Sequence, residues 1–380
     1  MKVTTTIPQN DLQRVPAAAQ AIEHAGYDAI TTLENRHDPF LPLAVAATCT
    51  QRIELVTGIA ISFLRSPMSA ANLAWDLNEA SRGRFVLGLG TQIRAHNENR
   101  FSVPWSPPVP RMREYVESLR AIWRAWKYGE RLHYVGKHYH FTLMTPNFVP
   151  EGSGLELPAV TLAAVGPGML KLAGQVADGV RLHPFCTRQY LSEVVIPQVH
   201  AGLAIAGRKR EHFEISGGGF IATGADDEAV AATSAWVRQR IAFYGSTPAY
   251  WPVLEIHGLG DLGRKLNRMT KDGLWDQLAA EISDDTLHLF AAIGRHDEIA
   301  GAITERFGTC ADVVFASASA EIPGDFPPDL ITDIQRIPVA FERFDTESWP
   351  DDPAARSAQD GVTPPAMNRE RGFCRFAVEL

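Results

Sequence analysis

The chain has 380 residues, 45% of them apolar, and a net charge of −8 with both signs mixed along its length. That is enough for one large core. No run of about twenty apolar residues marks a membrane span, and Lys and Arg are not concentrated as in a general nucleic-acid binder.

Eight short β-branched or apolar runs alternate with helical patterns: KVTTT (2–6), DAITT (28–32), IELVTGI (53–59), RFVLGL (84–89), AVTLAA (159–164), GVRLH (179–183), EISGGGFIA (214–222) and DVVFA (312–316). Such alternation predicts parallel strands joined by crossover helices, and eight strands close an α/β barrel, the (β/α)8 TIM barrel. A doubly wound sheet is the competing architecture. Asp38-Pro39 is expected to open a helix through Cys49, and Ser66-Pro67 another that ends at Arg82-Gly83. A third spans 111–128, with Tyr115, Leu119, Ile122, Trp123 and Trp126 on one stripe. Two excursions, after strand four (93–158) and strand seven (223–311), exceed ordinary connections and are expected to form lids or substrate walls. From Ser348 the composition turns to Asp, Pro, Ala, Arg and Ser without periodicity, so 1–347 is read as one domain and 348–380 as a poorly ordered tail. Cys49, Cys186, Cys310 and Cys374 lack a CxxC pair, and MKVTTTIPQND lacks a charged-then-apolar leader. Both features predict a cytoplasmic protein.

The most informative segment is PAVTLAAVGPGMLKLAGQVADGV (158–180). A buried strand ends at Ala164, turns through Val165, Gly166, Pro167 and Gly168, and enters a helix near Met169. A helix amino terminus offers unpaired N–H groups and partial positive charge, and so attracts phosphate. Gly166 and Gly168 allow close approach to the backbone, and the donor that Pro167 lacks costs nothing there. An ordinary tight turn explains the same spacing. The three histidines of RLHYVGKHYHF (His133, His138, His140) sit in a hairpin-like alternation without a carboxylate cluster, so no metal site is expected.

AVGPGMLKLAGQVADG resembles the phosphate-tail segment of the luciferase-like monooxygenase superfamily, and is closer to its coenzyme F-420 (deazaflavin) branch than to bacterial luciferase. DAITTLENRHDPF, RIELVTGIAI, RFVLGLGTQ and HLFAAIGRHDEIAGAITERFG resemble further elements in the right order. The resemblance implies a bacterial-luciferase-like barrel with its cofactor at the carboxyl ends of the strands. It implies a proton-handling or cofactor-contacting role for His37 or Glu34, against salt-bridge and capping roles for Glu34 and Asp38. It implies a bulge with a cis Gly58–Ile59 peptide behind the cofactor ring, next to Thr57. Gly90, Thr91 and Gln92 would contact the ring or ribityl chain, and Ala164, Val165, Gly166, Pro167, Gly168 and Met169 would hold the phosphate. Gln92 and Ile93 stand where some relatives carry a glutamate, which argues against carrying over their acid chemistry. Trp105, Phe101, Tyr250 and Trp251 are candidate substrate walls, Gly294 and Arg295 a candidate second anion site, and His183 either a mouth residue or a packed neutral histidine.

The implied activity is hydride transfer between F-420 and a small organic substrate. The alternatives are an FMN monooxygenase supplied with reduced flavin by a partner reductase, and a flavin-binding barrel without catalysis. An unrelated hydrolase lacks a paired-carboxylate, metal or nucleophile-elbow motif. A homodimer is a further expectation from the resemblance, with neither nucleic acid nor membrane as a partner.

Overall fold

A computed structural model describes residues 1–316 and 326–349. The chain divides into two units, Met1–Glu347 and Ser348–Leu380. The tail expectation for 348–380 falls outside the described residues apart from Ser348 and Trp349.

Eight parallel strands form a closed barrel: β1 (Lys2–Thr6), β2 (Ala29–Thr32), β3 (Glu54–Thr57), β4 (Phe85–Gly90), β5 (Ala159–Ala164), β6 (Gly179–Leu182), β7 (Glu214–Gly217) and β8 (Val313–Phe315). Each pairs with its chain neighbours, and Lys2 opposite Val313 closes the ring. The period of two sorts their side chains. Ile30, Leu55, Leu87 and Val160 join the core shared with the helices, whereas Ala29, Val56, Val86 and Ala159 form a separate cluster capped by Phe344.

The helices begin where cap chemistry placed them. The Asp38 carboxylate accepts the Phe40 and Leu41 N–H groups ahead of helix Phe40–Cys49. Ser66 caps helix Pro67–Ala80, and the turn beyond it takes Arg82 and Gly83 through positive φ. The aromatic stripe is fully internal on helix Pro108–Tyr128, which begins three residues earlier than its periodicity suggested.

Three aspartates at the strands' amino ends repeat one clasp. Asp28 N–H donates to the Val3 carbonyl while its carboxylate accepts the Val3 N–H. Asp178 does the same with Val160, and Asp312 with Ile215. Each therefore ties its strand to the preceding one at the foot of the barrel.

One strand assignment is corrected. The run 214–222 is not continuous: β7 stops at Gly217, Gly217 and Gly218 take φ of 86° and 108°, and Phe220–Gly224 pairs in parallel with Ala291–Arg295 in a separate sheet. Only glycine adopts such angles freely, so the pair redirects the chain. That sheet and helix Asp227–Gly245 build the second excursion. Among the described residues no helix is long and apolar enough to cross a membrane.

Candidate active site

At the carboxyl ends of the strands lies a cavity of about 1350 Å³. Gly166 precedes helix Pro167–Val176, with Pro167 in its first turn, and no side chain caps this end. The helices beginning at Pro67 and Asp227, by contrast, are capped by Ser66 and Asp226. A Cβ built on Gly166 would meet nothing within 4 Å, and one on Gly168 only the Val109 methyl at 3.7 Å. The glycines are therefore not needed for packing; they leave an uncapped helix start open to the cavity. Such an end suits a phosphate. Ala164, Val165, Pro167 and Met169 line the cavity with them.

A further wall, one strand removed, is the bulge after β3. The Gly58–Ile59 peptide is cis, as the resemblance implied, and both residues line the cavity. A Cβ on Gly58 would fall 2.4 Å from the Thr31 methyl, and one on Gly90 would fall 2.7 Å from the Ile59 side chain. Gly90 thus makes room for Ile59 to pack across β4. Thr91 and Gln92 complete this wall. Gln92 has φ 56°, and its side-chain oxygen accepts the Ile93 N–H.

Three expected site residues lie elsewhere. Thr57 is wholly buried, and its hydroxyl donates to the Gly88 carbonyl and accepts the Gly88 N–H, so it staples β3 to β4. Both Glu34 oxygens take Arg65 nitrogens at 2.8 Å, and one also accepts the Ile61 N–H at 2.6 Å. Its carboxylate is occupied by positioning the chain beyond the bulge and does not line the cavity. His37 is exposed and outside the lining. Neither lines the cavity, and the salt-bridge alternative for Glu34 is the one its Arg65 contacts match.

The cavity is basic. Arg36, Arg100, Arg181 and Arg240 line it, and among the described residues no Asp or Glu does so. Arg100 donates to the Asn35 carbonyl. Arg181 donates to the Thr161 and Ser216 hydroxyls from within the barrel and is ion-paired with the buried Glu214 at 3.9 Å. His183, after β6, also faces the cavity. Burial lowers its pKa to about 4, so it is neutral at physiological pH. Its Nδ1 accepts the Phe185 N–H at 3.0 Å, which leaves the proton on Nε2.

Sequence reasoning missed the wall built by helix Asp227–Gly245. Trp236, Arg240 and Tyr244 all line the cavity. Their four-residue spacing puts them on one face of the helix, and that was the available signal. Among the expected walls Tyr250 is present, whereas Phe101, Trp105 and Trp251 are not in the lining. Arg295 pairs with Asp227, Asp297 and Glu298 rather than forming a second anion site. In the histidine tract, Glu114 accepts the N–H groups of Lys137, His138 and Tyr139, which holds the hairpin turn. Among the described residues no group of three or more His, Cys, Asp or Glu is arranged to hold a metal.

Residues 2–312 match the family model described as luciferase-like monooxygenase. An uncharacterized protein of Mycobacterium tuberculosis is 49% identical over 324 residues, spanning 84% of this chain and 95% of that protein. The 5,10-methylenetetrahydromethanopterin reductase of Archaeoglobus fulgidus is 31% identical over 292 residues, spanning 74% of this chain and 82% of that one. The solved structure of the coenzyme F-420 dependent tetrahydromethanopterin reductase from Methanopyrus kandleri matches with a TM-score of 0.67 at 20% identity, covering 89% of this chain and 98% of that one.

Proposed function

The chain belongs to the luciferase-like monooxygenase family, and from that premise we propose that it is an oxidoreductase transferring hydride between coenzyme F-420 and a small organic substrate. The observation that carries this reading is the pairing of the Gly58–Ile59 bulge with the open Gly166–Gly168 cradle across one cavity. The residues fit the group. The uncapped helix start at Pro167 would take the phosphate, Gly58 and Ile59 would back the ring, and Gly90, Thr91 and Gln92 would meet its polar edge. Positive charge from Arg36 and Arg100 in the lining favours a cofactor carrying several negative charges over FMN with its single phosphate. Kinship with a methylenetetrahydromethanopterin reductase points the same way.

Bound there, a deazaflavin supplies a hydride at its ring, and the protein contributes binding, orientation and exclusion of water. The residues around the cavity divide that work. The Glu34–Arg65 pair fixes the chain beyond the bulge through the Ile61 N–H. Tyr244 and Tyr250 enclose His183, with ring centroids 4.2 and 4.7 Å from its imidazole, and exclude water from it. His183 Nε2–H is a hydrogen-bond donor that stays neutral well below pH 7, suited to a substrate oxygen or nitrogen that gains electron density.

Titration of the purified full chain with F-420 and with FMN, followed by cofactor fluorescence, tests the assignment. F-420 binding at least tenfold more tightly than FMN is the expected result. The reverse order indicates the flavin monooxygenase reading, and no binding of either defeats both.

A further inference from the structure

We propose that the part of the cavity walled by helix Asp227–Gly245 binds a small organic monoanion with a flat apolar body, its carboxylate held by Arg240 beside Trp236. This rests on the oxidoreductase reading only in calling that anion the substrate. Trp236, Arg240 and Tyr244 occupy three successive turns of one helix face, all lining the cavity. The Arg240 guanidinium lies 4.9 Å from the Trp236 ring centroid. A cation held against a ring face in this way keeps its N–H donors available to a ligand. Arg240 has no hydrogen bond or carboxylate partner among the described residues. Arg238, two residues earlier, makes both, with the Ile282 carbonyl and Asp284.

The surroundings define what completes the fork. Among the described residues no acid lines the cavity, so none of them supplies the missing partner. The adjoining surface is aromatic: Phe220 meets the Trp236 ring edge-on at 6.4 Å, and Tyr244 and Tyr250 flank His183. A planar or otherwise apolar body packs there, while a sugar or a polyol would leave its hydroxyls facing rings. The charge count favours a single anionic group. Burial keeps His183 neutral, so Arg240 is the cation of this wall. The glycine cradle after β5 supplies the backbone donors that a phosphate prefers, and Arg240 sits on a separate element. A carboxylate matches the planar fork with two parallel hydrogen bonds. His183 Nε2–H, one ring contact from Tyr244, then faces the body of the same ligand.

The test uses the full chain and three probes of matched shape, 2-naphthoate, 2-naphthamide and 2-naphthyl phosphate. Their affinities are measured by calorimetry with and without saturating F-420. 2-Naphthoate is expected to bind roughly tenfold more tightly than the amide, and Arg240→Gln to remove that preference while changing amide affinity less than about twofold. Arg240→Lys should retain part of the preference, because charge remains but the fork is lost. Arg238→Gln on the same helix should leave it intact. F-420 affinity should stay within about twofold in Arg240→Gln, a readout that separates this site from the cofactor cradle. Equal binding of carboxylate and amide by the wild-type chain overturns the proposal, as does tighter binding of the phosphate. If Arg240→Gln does not fold, the wild-type comparison and Arg240→Lys still decide. If 2-naphthoate binds as described but neither F-420 nor FMN does, the anion site stands and the oxidoreductase reading falls.

Discussion

The two ends of the barrel treat charge in opposite ways. At the foot, acids are buried and matched. Asp178 takes Arg120 at 2.9 Å and Arg208 at 3.0 Å, Asp312 takes Arg210 at 2.8 Å, and Lys2 bridges Glu54 and Glu214. Burial alone would lower the Lys2 pKa, but the two glutamates overcome it and raise it. At the mouth, arginines line a cavity in which no described residue is an acid, and a helix start is left without a cap. The foot satisfies its charges internally, whereas at the mouth Arg240 has no carboxylate partner among the described residues. The barrel architecture explains the division, because foot residues hold strands in register while mouth residues sit on loops free to take on chemistry. Substitutions at the foot should therefore cost stability with little effect on binding, and those at the mouth the reverse.

The largest expected effect is at the foot. Asp178→Asn removes the buried carboxylate that Arg120 and Arg208 share, a loss of about 3–5 kcal/mol by denaturant unfolding. The fraction that folds should bind F-420 as the wild type does; a tenfold loss of affinity there would break the separation of the two ends.

His183 comes next, and its effect is visible against pH. Its folded pKa of about 4 lies below the ordinary 6.5. Between those values the unfolded chain binds a proton that the folded chain refuses. Stability conferred by the neutral ring is present above pH 6.5 and lost as pH falls toward 4, by on the order of 2 kcal/mol after allowance for solvent in the cavity. His183→Gln should flatten the melting temperature over that window; an unchanged acid slope would mean that the ring titrates normally.

The smallest effect belongs to Glu34, which stands between the two regimes. Glu34→Gln can still accept the Ile61 N–H but no longer neutralises Arg65. It should cost about 1 kcal/mol of stability and weaken F-420 binding several-fold. Loss of turnover with unchanged F-420 affinity would instead give Glu34 a direct role in the chemistry.

The barrel was legible because each strand is a short apolar or β-branched run whose neighbours follow in chain order. The break at Gly217 was not, because the partner of Phe220–Gly224 lies some seventy residues on, at Ala291–Arg295, and local sequence cannot announce it. The backbone of the cavity wall was legible for a related reason: glycines at 58 and 90 sit where a Cβ would meet Thr31 or Ile59, and those at 166 and 168 leave the turn before helix Pro167–Val176 open. Side chains were harder. Glu34 in LENRHD admitted both a proton-handling and a salt-bridge role, and local sequence could not choose because its partner Arg65 is 31 residues away, beyond the next strand. Trp236, Arg240 and Tyr244 were passed over because their helix lies in an excursion whose placement against the mouth depends on the whole fold.

The measurement that bears most directly on the cradle is F-420 binding to Gly168→Asp beside its thermal melt. An acid in the first turn of helix Pro167–Val176 complements the helix dipole, and its Cβ meets only the Val109 methyl, so stability should hold or rise. Facing a phosphate, the same carboxylate should weaken F-420 binding by roughly a hundredfold, about 2.7 kcal/mol. Unchanged affinity in a protein that melts normally would contradict the assignment of this turn as the cofactor's anchor.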